Sequence, residues 1–294
     1  MYRSMIVGMG GAYRNAGAPK RLLHASCRGS YNQLTMLAAK NNLQRWFAAG
    51  SRLQGPCHTA ALDLLFPPAC AGCHAELESS RPASFCDACL GRVEILRGAK
   101  CTKCGAPVPG GAPRQTCPRC GDVKLWFDET LALGEYEGLL REWLLRMKDD
   151  GGKSLTLNLA ELLWREHAGR LAQFEANVVV PVPMHWRRRL QRGANAPVIL
   201  AERLADHLRT PLATELLRRT RHTQPQFSVP PSRRRANVRN AFAVRAGYHF
   251  EGARVLLVDD ILTTGSTASA AARTLKQAGA ARVTVVVAAR TLSH

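Results

Sequence analysis

Four Cys-x-x-Cys pairs between Cys70 and Cys120 limit what this chain can fold into more than any other feature of its sequence. The pairs are Cys70/Cys73, Cys86/Cys89, Cys101/Cys104 and Cys117/Cys120, separated by twelve, eleven and twelve residues. Two thiolates in one Cys-x-x-Cys turn hold half of a tetrahedral ion site, and a second pair completes it. Eight ligands therefore make two sites. Local pairing puts Cys70, Cys73, Cys86 and Cys89 on one ion and Cys101, Cys104, Cys117 and Cys120 on the other. A cross-braced set, with the first and third pairs sharing an ion, satisfies the same spacing. Sites filled by four protein sulfurs have no open position for catalysis, so their role is structural. Zinc suits two even four-sulfur sets better than an iron–sulfur cluster does. A stretch of ~60 residues with few large apolar side chains needs such a staple to fold. The same pattern points to a reducing compartment and away from disulfides or a redox role. Cys27 and Cys57 fall outside it and read as incidental thiols, and His58 and His74 as surface residues.

The remaining length has room for a full α/β domain. The chain has 294 residues, 46% of them hydrophobic, which allows a sizeable core. A formal charge of +19 implies attraction to polyanions such as nucleic acid, phosphorylated metabolites or anionic headgroups. No apolar run approaches the ~18 residues of a membrane-spanning helix. Neither does the N-terminus carry the compact apolar stretch of a secretory signal. The expectation is a cytoplasmic protein, at most peripheral to the inner membrane. Residues 1–58 read as a poorly ordered basic extension, 59–125 as the double zinc ribbon and 126–294 as the α/β domain. The first 55 residues contain no Asp or Glu. An organelle transit peptide, or a start at Met36, are the alternative readings of that segment.

Beyond the cysteines, strand-like and helix-like patterns alternate. Residues 127–136 read as a strand. Leu139, Leu140, Trp143, Leu144 and Met147 give 139–148 the spacing of an amphipathic helix. A long helix follows over 154–173, with Ser154 as N-cap. Then come a strand at 178–180, a helix at 196–208, an Arg-rich loop at 218–239, a strand at 254–258, a helix at 266–278 and a strand at 282–288. Such alternation predicts right-handed βαβ units: an α/β, Rossmann-like fold with a largely parallel sheet flanked by helices.

The run from Val255 to Thr267 carries the chemistry. Val255 to Val258 is a continuous apolar strand, as inside a parallel sheet covered on both faces. Asp259 and Asp260 follow at its carboxyl end, where open α/β sheets bind ligands. Adjacent carboxylates there suit a vicinal diol such as ribose. Thr263, Thr264, Gly265, Ser266 and Thr267 then lead into a helix. Gly265 permits a tight turn, the free N–H groups of the helix start cradle an anion, and the hydroxyls add donors. No Gly-Lys-Ser or Gly-Lys-Thr appears, which disfavours a P-loop.

This string resembles the motif by which type I phosphoribosyltransferases hold phosphoribosyl diphosphate (PRPP). With the other segments it narrows further. The four cysteine pairs, Gly134 to Gly138, Lys148 to Gly152, Val180 to His185, Arg218 to Gln224 and Arg234 to Phe242 resemble, in that order, the ComF family. The resemblance runs from about residue 60 to the C-terminus. It implies a phosphoribosyltransferase-type domain behind a double zinc ribbon, two structural Zn²⁺ ions, and Mg²⁺ bound with PRPP. It further implies Asp259 and Asp260 on the ribose and Thr263 to Thr267 on the 5′-phosphate. His185 and Arg187 would approach the pyrophosphate, with Arg219, Arg221 and Gln224 on a segment that closes over it. Members are associated with natural competence, which implies single-stranded DNA and DNA-uptake machinery as partners. Two departures touch the acceptor side: Gly193-Ala194-Asn195-Ala196 replaces a pattern like Gly-Phe-Asn-Gln, and Trp186 follows His185 where proline is common.

Two functions compete. One is an enzyme transferring the phosphoribosyl group from PRPP, with Arg187, Arg219 and Arg221 stabilising the departing charge. The other is a non-catalytic module that senses PRPP or grips single-stranded nucleic acid. From His185 to Arg245 there are fourteen basic residues against three acids, a net of +11. Trp186 or Phe227 could add stacking to that phosphate attraction.

Overall fold

The computed structural model describes residues 67–77, 84–108, 117–121, 123–149, 151–184, 195–221, 223 and 229–292. The expectations for residues 1–58, and for His185, Trp186, Arg187, Gln224 and Phe227, lie outside the described residues. In chain order the elements are α1 (Asp87–Arg92), β1 (Glu129–Glu135), α2 (Gly138–Arg146), α3 (Gly152–Phe174), β2 (Val178–Pro181), α4 (Ala196–Leu208) and β3 (Leu217–Arg219). A 3₁₀ turn (Pro231–Arg233) leads into α5 (Arg234–Asn237), followed by β4 (Phe242–Val244), β5 (Arg254–Leu262), α6 (Ser266–Gln277) and β6 (Arg282–Arg290).

Four strands form one parallel sheet in the order β1-β6-β5-β2, and β3 and β4 pair separately as an antiparallel ribbon. The central strands are buried on both faces, which is why they read as unbroken Val and Leu runs. Successive side chains alternate between two cores. Val255, Leu257, Val283 and Val285 pack with Ala268, Ala271 and Leu275 of α6 on one face. Leu256, Val258 and Val286 pack with residues of α2, α3 and α4 on the other.

The cysteine module divides between those faces. Cys101, Cys104 and Cys117 belong to the α6 core, whereas Cys70 and Cys89 belong to the opposite one. The first half docks on α2 through Trp143, which is fully buried and stacks on Phe85 with centroids 4.3 Å apart. Gly72 makes the approach possible, since a Cβ there would meet Trp143 Cζ2 at 2.5 Å. Arg146 completes the contact by donating to the Gly72 carbonyl and bonding His74 Nε2 at 2.8 Å.

Several boundaries differ from the sequence expectation. The long helix begins at Gly152, with Gly151 as N-cap and no side-chain cap. Ser154 lies inside its first turn, where its carbonyl accepts from Asn158. β5 continues past Val258 to Leu262, because β6 offers it partners as far as Arg290. The expected Arg-rich loop contains β3, held in register by β4 (Leu217 opposite Val244). Helix α4 has the predicted bounds.

Trp143→Ala should destabilise the protein by about 3–5 kcal/mol, the usual cost of emptying a buried aromatic site. Urea unfolding of the zinc-loaded protein measures it, and a loss under 1 kcal/mol would show that this docking contributes little.

Candidate phosphate site and cysteine clusters

The eight sulfurs gather as two sequential sets, and the cross-braced arrangement is not formed. In each set the four ligand atoms lie within 4.8 Å of one another. Cys73 and Cys86 Sγ are 3.7 Å apart, Cys101 and Cys120 3.8 Å, and Cys104 and Cys117 3.8 Å. A tetrahedral zinc with bonds of about 2.3 Å places its sulfurs about 3.8 Å apart. Disulfide bonding requires about 2.05 Å. The geometry therefore fits two zinc ions. Turn N–H groups prepare the thiolates: that of Cys86 points at Cys70 Sγ (3.3 Å) and that of Cys89 at Cys86 Sγ (3.4 Å). Burial opposes ionisation of Cys70, but the N–H groups of Cys86, Cys73 and Gly72 outweigh it and bring that thiol to about 6. Burial and neighbouring sulfurs push Cys89 and Cys120 up instead. Thiols this crowded cannot all ionise unaided, and a divalent cation among them removes the repulsion.

At the carboxyl end of β5, Asp259 and Asp260 line a cavity of about 560 Å³ together with Thr263, Gly265, Ser266 and Thr267. Asp259 Oδ1 accepts from the Asp260 N–H at 2.9 Å, and Asp260 Oδ1 from the Ile261 N–H at 2.8 Å. Gly265, at φ 73°, turns the chain into α6. That left-handed turn favours glycine and brings the first turn of α6, with its positive dipole end, to the cavity. Thr264 faces away from this cavity, and its hydroxyl bonds that of Ser266 at 2.9 Å. Burial, and then the Asp260 carboxylate, raise Asp259 well above the usual carboxylate range, while Arg219 opposes the shift.

Family comparisons bear on both halves of the chain. A Double zinc ribbon domain profile matches residues 61–123, and a Phosphoribosyl transferase domain profile matches 194–293. "Competence protein F" of Haemophilus influenzae is 28% identical over 74% of this chain and 94% of its own length. "Competence protein ComFC" of Bacillus subtilis is 26% identical over 67% and 79% respectively. "DNA utilization protein YhgH" of Salmonella typhi is 30% identical over 71% of this chain and 91% of that protein. This chain belongs to the ComF family. It joins a double zinc ribbon to a phosphoribosyltransferase-type α/β domain, as the order of its motifs led one to expect.

Within this ComF-family chain the site residues expected from sequence fall into three groups. Asp259, Asp260, Thr263, Gly265, Ser266, Thr267 and Arg219 share the cavity. Arg221 does not line it, since its guanidinium donates to the carbonyls of Asn237 and Arg239 at 3.1 and 2.7 Å. His185 and Arg187 lie outside the described residues. Sequence reasoning assigned no role to Tyr136, Arg141, Leu145 or Lys148, which form another wall of the cavity. The signal was present: Tyr136 and Lys148 lie in two of the segments that carry the family resemblance. No helix among the described residues is long and apolar enough to cross a membrane.

Asp259→Asn should melt above wild type at neutral pH. A carboxyl raised on folding contributes stability in its neutral form at low pH and loses that contribution as pH rises through its folded pKa. The gap should therefore open as pH rises above the ordinary carboxylate range and close in acid, as read by calorimetric melting of the zinc-loaded protein. Equal melting at every pH would mean the buried charge carries no cost.

Proposed function

We propose that this protein binds PRPP with Mg²⁺ and acts as a phosphoribosyltransferase serving DNA uptake or nucleotide metabolism, in the cytoplasm. The observation that carries this reading is the single cavity in which paired carboxylates face a hydroxyl-rich loop at a helix N-terminus. Asp259 and Asp260 offer acceptors for the two ribose hydroxyls. Thr263, Ser266 and Thr267, with the backbone N–H groups around Gly265, offer donors for the 5′-phosphate. The chemistry open to such a site is displacement at the anomeric carbon. An acceptor's electron pair forms the new bond, and the bond to the pyrophosphate oxygen breaks with its electrons going to pyrophosphate. Bound Mg²⁺ would neutralise that leaving group. Arg219, at the cavity wall, adds positive charge where the oxocarbenium and pyrophosphate separate. Its orientation is set by a hydrogen bond to the Thr223 hydroxyl and by the Phe242 ring, 5.5 Å away. His185 and Arg187 complete the pyrophosphate side in this reading. The proposed division of the chain is a basic segment at 1–58, the ribbon at 59–125 and the transferase-type domain at 126–294.

Calorimetric titration of Mg²⁺-PRPP into wild type and an Asp259→Asn, Asp260→Asn double variant tests the reading. Saturable binding by wild type, weakened at least tenfold in the variant, is expected. No binding by a folded, zinc-loaded wild type would leave the fold without this ligand.

A second reading concerns single-stranded nucleic acid, and one observation favours it. A groove of about 610 Å³ shares Thr264 and Ser266 with the phosphate loop and is lined by Lys124, Arg235, Arg239 and Arg273, with no acidic residue among the described ones. Trp126 lies in it, with Lys124 Nζ 4.6 Å and the Arg273 guanidinium 5.5 Å from its ring centroid. Cations beside an aromatic ring suit a phosphate backbone with a stacked base. The names of the relatives, competence and DNA utilization, agree with such a partner. An Arg239→Ala, Arg273→Ala variant should bind an oligodeoxythymidine at least tenfold more weakly, with a shallower salt dependence. Unchanged affinity in a fluorescence-anisotropy titration would exclude this groove.

A further inference from the structure

The phosphate loop has a back as well as a front, and its back faces the second cysteine cluster. Between them lies a cavity of about 290 Å³ lined by Cys104, Cys120, Thr263, Gly265, Arg290 and Thr291, among others. Arg290 is only 6% exposed, yet its Nε has no hydrogen-bond partner among the described residues, and neither does the buried hydroxyl of Thr291. An unpaired guanidinium donor is costly to bury, so a counter-charge must stand nearby. Cys104 and Cys120, which line the same cavity, are the members of the second cluster placed to supply it. A zinc ion with four thiolates carries a net charge of about −2, which one buried arginine beside it would partly neutralise.

The same residue is tied to the loop. Arg290 pairs with Leu262, the last residue of β5, and the following N–H, from Thr291, donates to the Leu262 carbonyl at 2.9 Å. The chain leaving the second ribbon supports the loop from the same side. Leu125 and Phe127 lie where a Cβ on Gly265 would be in van der Waals contact at 3.4–3.5 Å, and the Trp126 N–H donates to Ser269 Oγ in α6 at 3.1 Å. The first cluster has no such connection. It packs against Trp143, and none of its cysteines lines either cavity at the loop.

We infer that Arg290 is a positioning residue that couples metal occupancy of the Cys101, Cys104, Cys117 and Cys120 cluster to the conformation of the phosphate loop. With zinc in place, the tetrathiolate holds the guanidinium and the loop keeps its backing. When the metal leaves, the buried cation loses its counter-charge and the end of β6 shifts beneath Thr263 to Gly265. Coupling between two sites is reciprocal, so a ligand in the loop must hold zinc in the second cluster more tightly, and not in the first. The ligand side of this inference rests on the phosphate-site reading above. The arginine–cluster contact does not.

The experiment uses the full-length, zinc-loaded protein. A chelator is added, thiols are pulsed with N-ethylmaleimide, and peptide mass spectrometry reads each cluster separately, with and without ribose 5-phosphate. Saturation is set beforehand by calorimetry. The expected result is alkylation slowed about fivefold, the lower end of typical couplings, at Cys101, Cys104, Cys117 and Cys120 only. Arg290→Gln should abolish this protection and speed second-cluster alkylation without ligand, whereas Arg290→Lys, which keeps the charge, should restore protection. Equal protection of both clusters, or none in a wild type that binds ribose 5-phosphate, overturns the coupling. If ribose 5-phosphate does not bind at all, the phosphate-site reading falls. The ligand-free comparison then decides, with unchanged second-cluster alkylation in Arg290→Gln overturning the contact. Should Arg290→Gln fail to fold, the wild-type comparison of the two clusters with and without ribose 5-phosphate still decides the coupling, and loss of protection in Arg290→Lys would overturn the role given to the charge.

Discussion

The parallel pairing of β5 with β6 is the constraint on which the rest of this molecule depends. The two strands are each nine residues long and stay in register from Arg254 opposite Arg282 to Leu262 opposite Arg290. One end of this pair is ordinary core. The other carries both aspartates, the phosphate loop and Arg290 within a few residues of one another. Because interior strands are held by hydrogen bonds on both edges and packed on both faces, the acids cannot relax away from each other into solvent. Their repulsion and the raised pKa of Asp259 therefore follow from where the strands pair, before any ligand is considered. A site that holds two carboxylates in apolar surroundings is one that gains from a diol or a cation, which is the sense in which the fold prepares the chemistry.

The cysteine module is built into this arrangement and does not simply precede it. Its halves join the cores on opposite faces of the sheet, so each cluster borrows hydrophobic cover that the ribbon alone lacks. The second half is continuous with the sheet. The Thr130 N–H donates to the Thr102 carbonyl and the Thr130 hydroxyl to that of Lys103, while Asp128 bonds Lys276 at 2.7 Å and the Val283 N–H at 2.8 Å. Metal binding at either cluster is consequently folding energy for the α/β domain as well as for the ribbon.

Much of this was legible in the sequence, for reasons that differ from element to element. The Val and Leu runs of β2, β5 and β6 signal buried parallel strands because both faces need apolar side chains. The spacing of Leu200, Leu204 and Leu208 defines α4 because all three face one core. The turn from β5 into α6 was legible as a string, because Gly265 supplies the left-handed residue and Ser266 opens the helix. Features set by distant partners were not. The carboxylates of Asp259 and Asp260 break the hydrophobic run, so nothing local says that β6 carries the strand on to Leu262. Spacing alone left the pairing of cysteines open, and only packing on opposite faces of the sheet separates the two sets. Three-residue β3 has no period to detect. Arg290, read along the chain, is a basic residue closing an apolar strand, indistinguishable from a solvent-facing end.

That last residue shows how charge and burial sort the arginines of a basic chain. Arg221 reaches backbone carbonyls, Arg282 reaches Glu129 at 3.3 Å from an exposed position, and both can be hydrated at little cost. Arg235, Arg239 and Arg273 line a groove with no acid among the described residues, where salt or a polyanion would relieve their mutual repulsion. Arg290 combines deep placement with a buried Nε that has no hydrogen-bond partner among the described residues, and it shares a cavity with Cys104 and Cys120, whereas Arg219 is half-buried at the wall of the cavity that holds Asp259 and Asp260. Among the described residues the basic side chains thus fall into three kinds: a solvated surface, an open groove suited to phosphates, and two arginines at the cavities on either side of the loop. Arg290 is the one placed between the second cysteine cluster and the loop, where a charge in a low-dielectric interior is costly to leave without a partner.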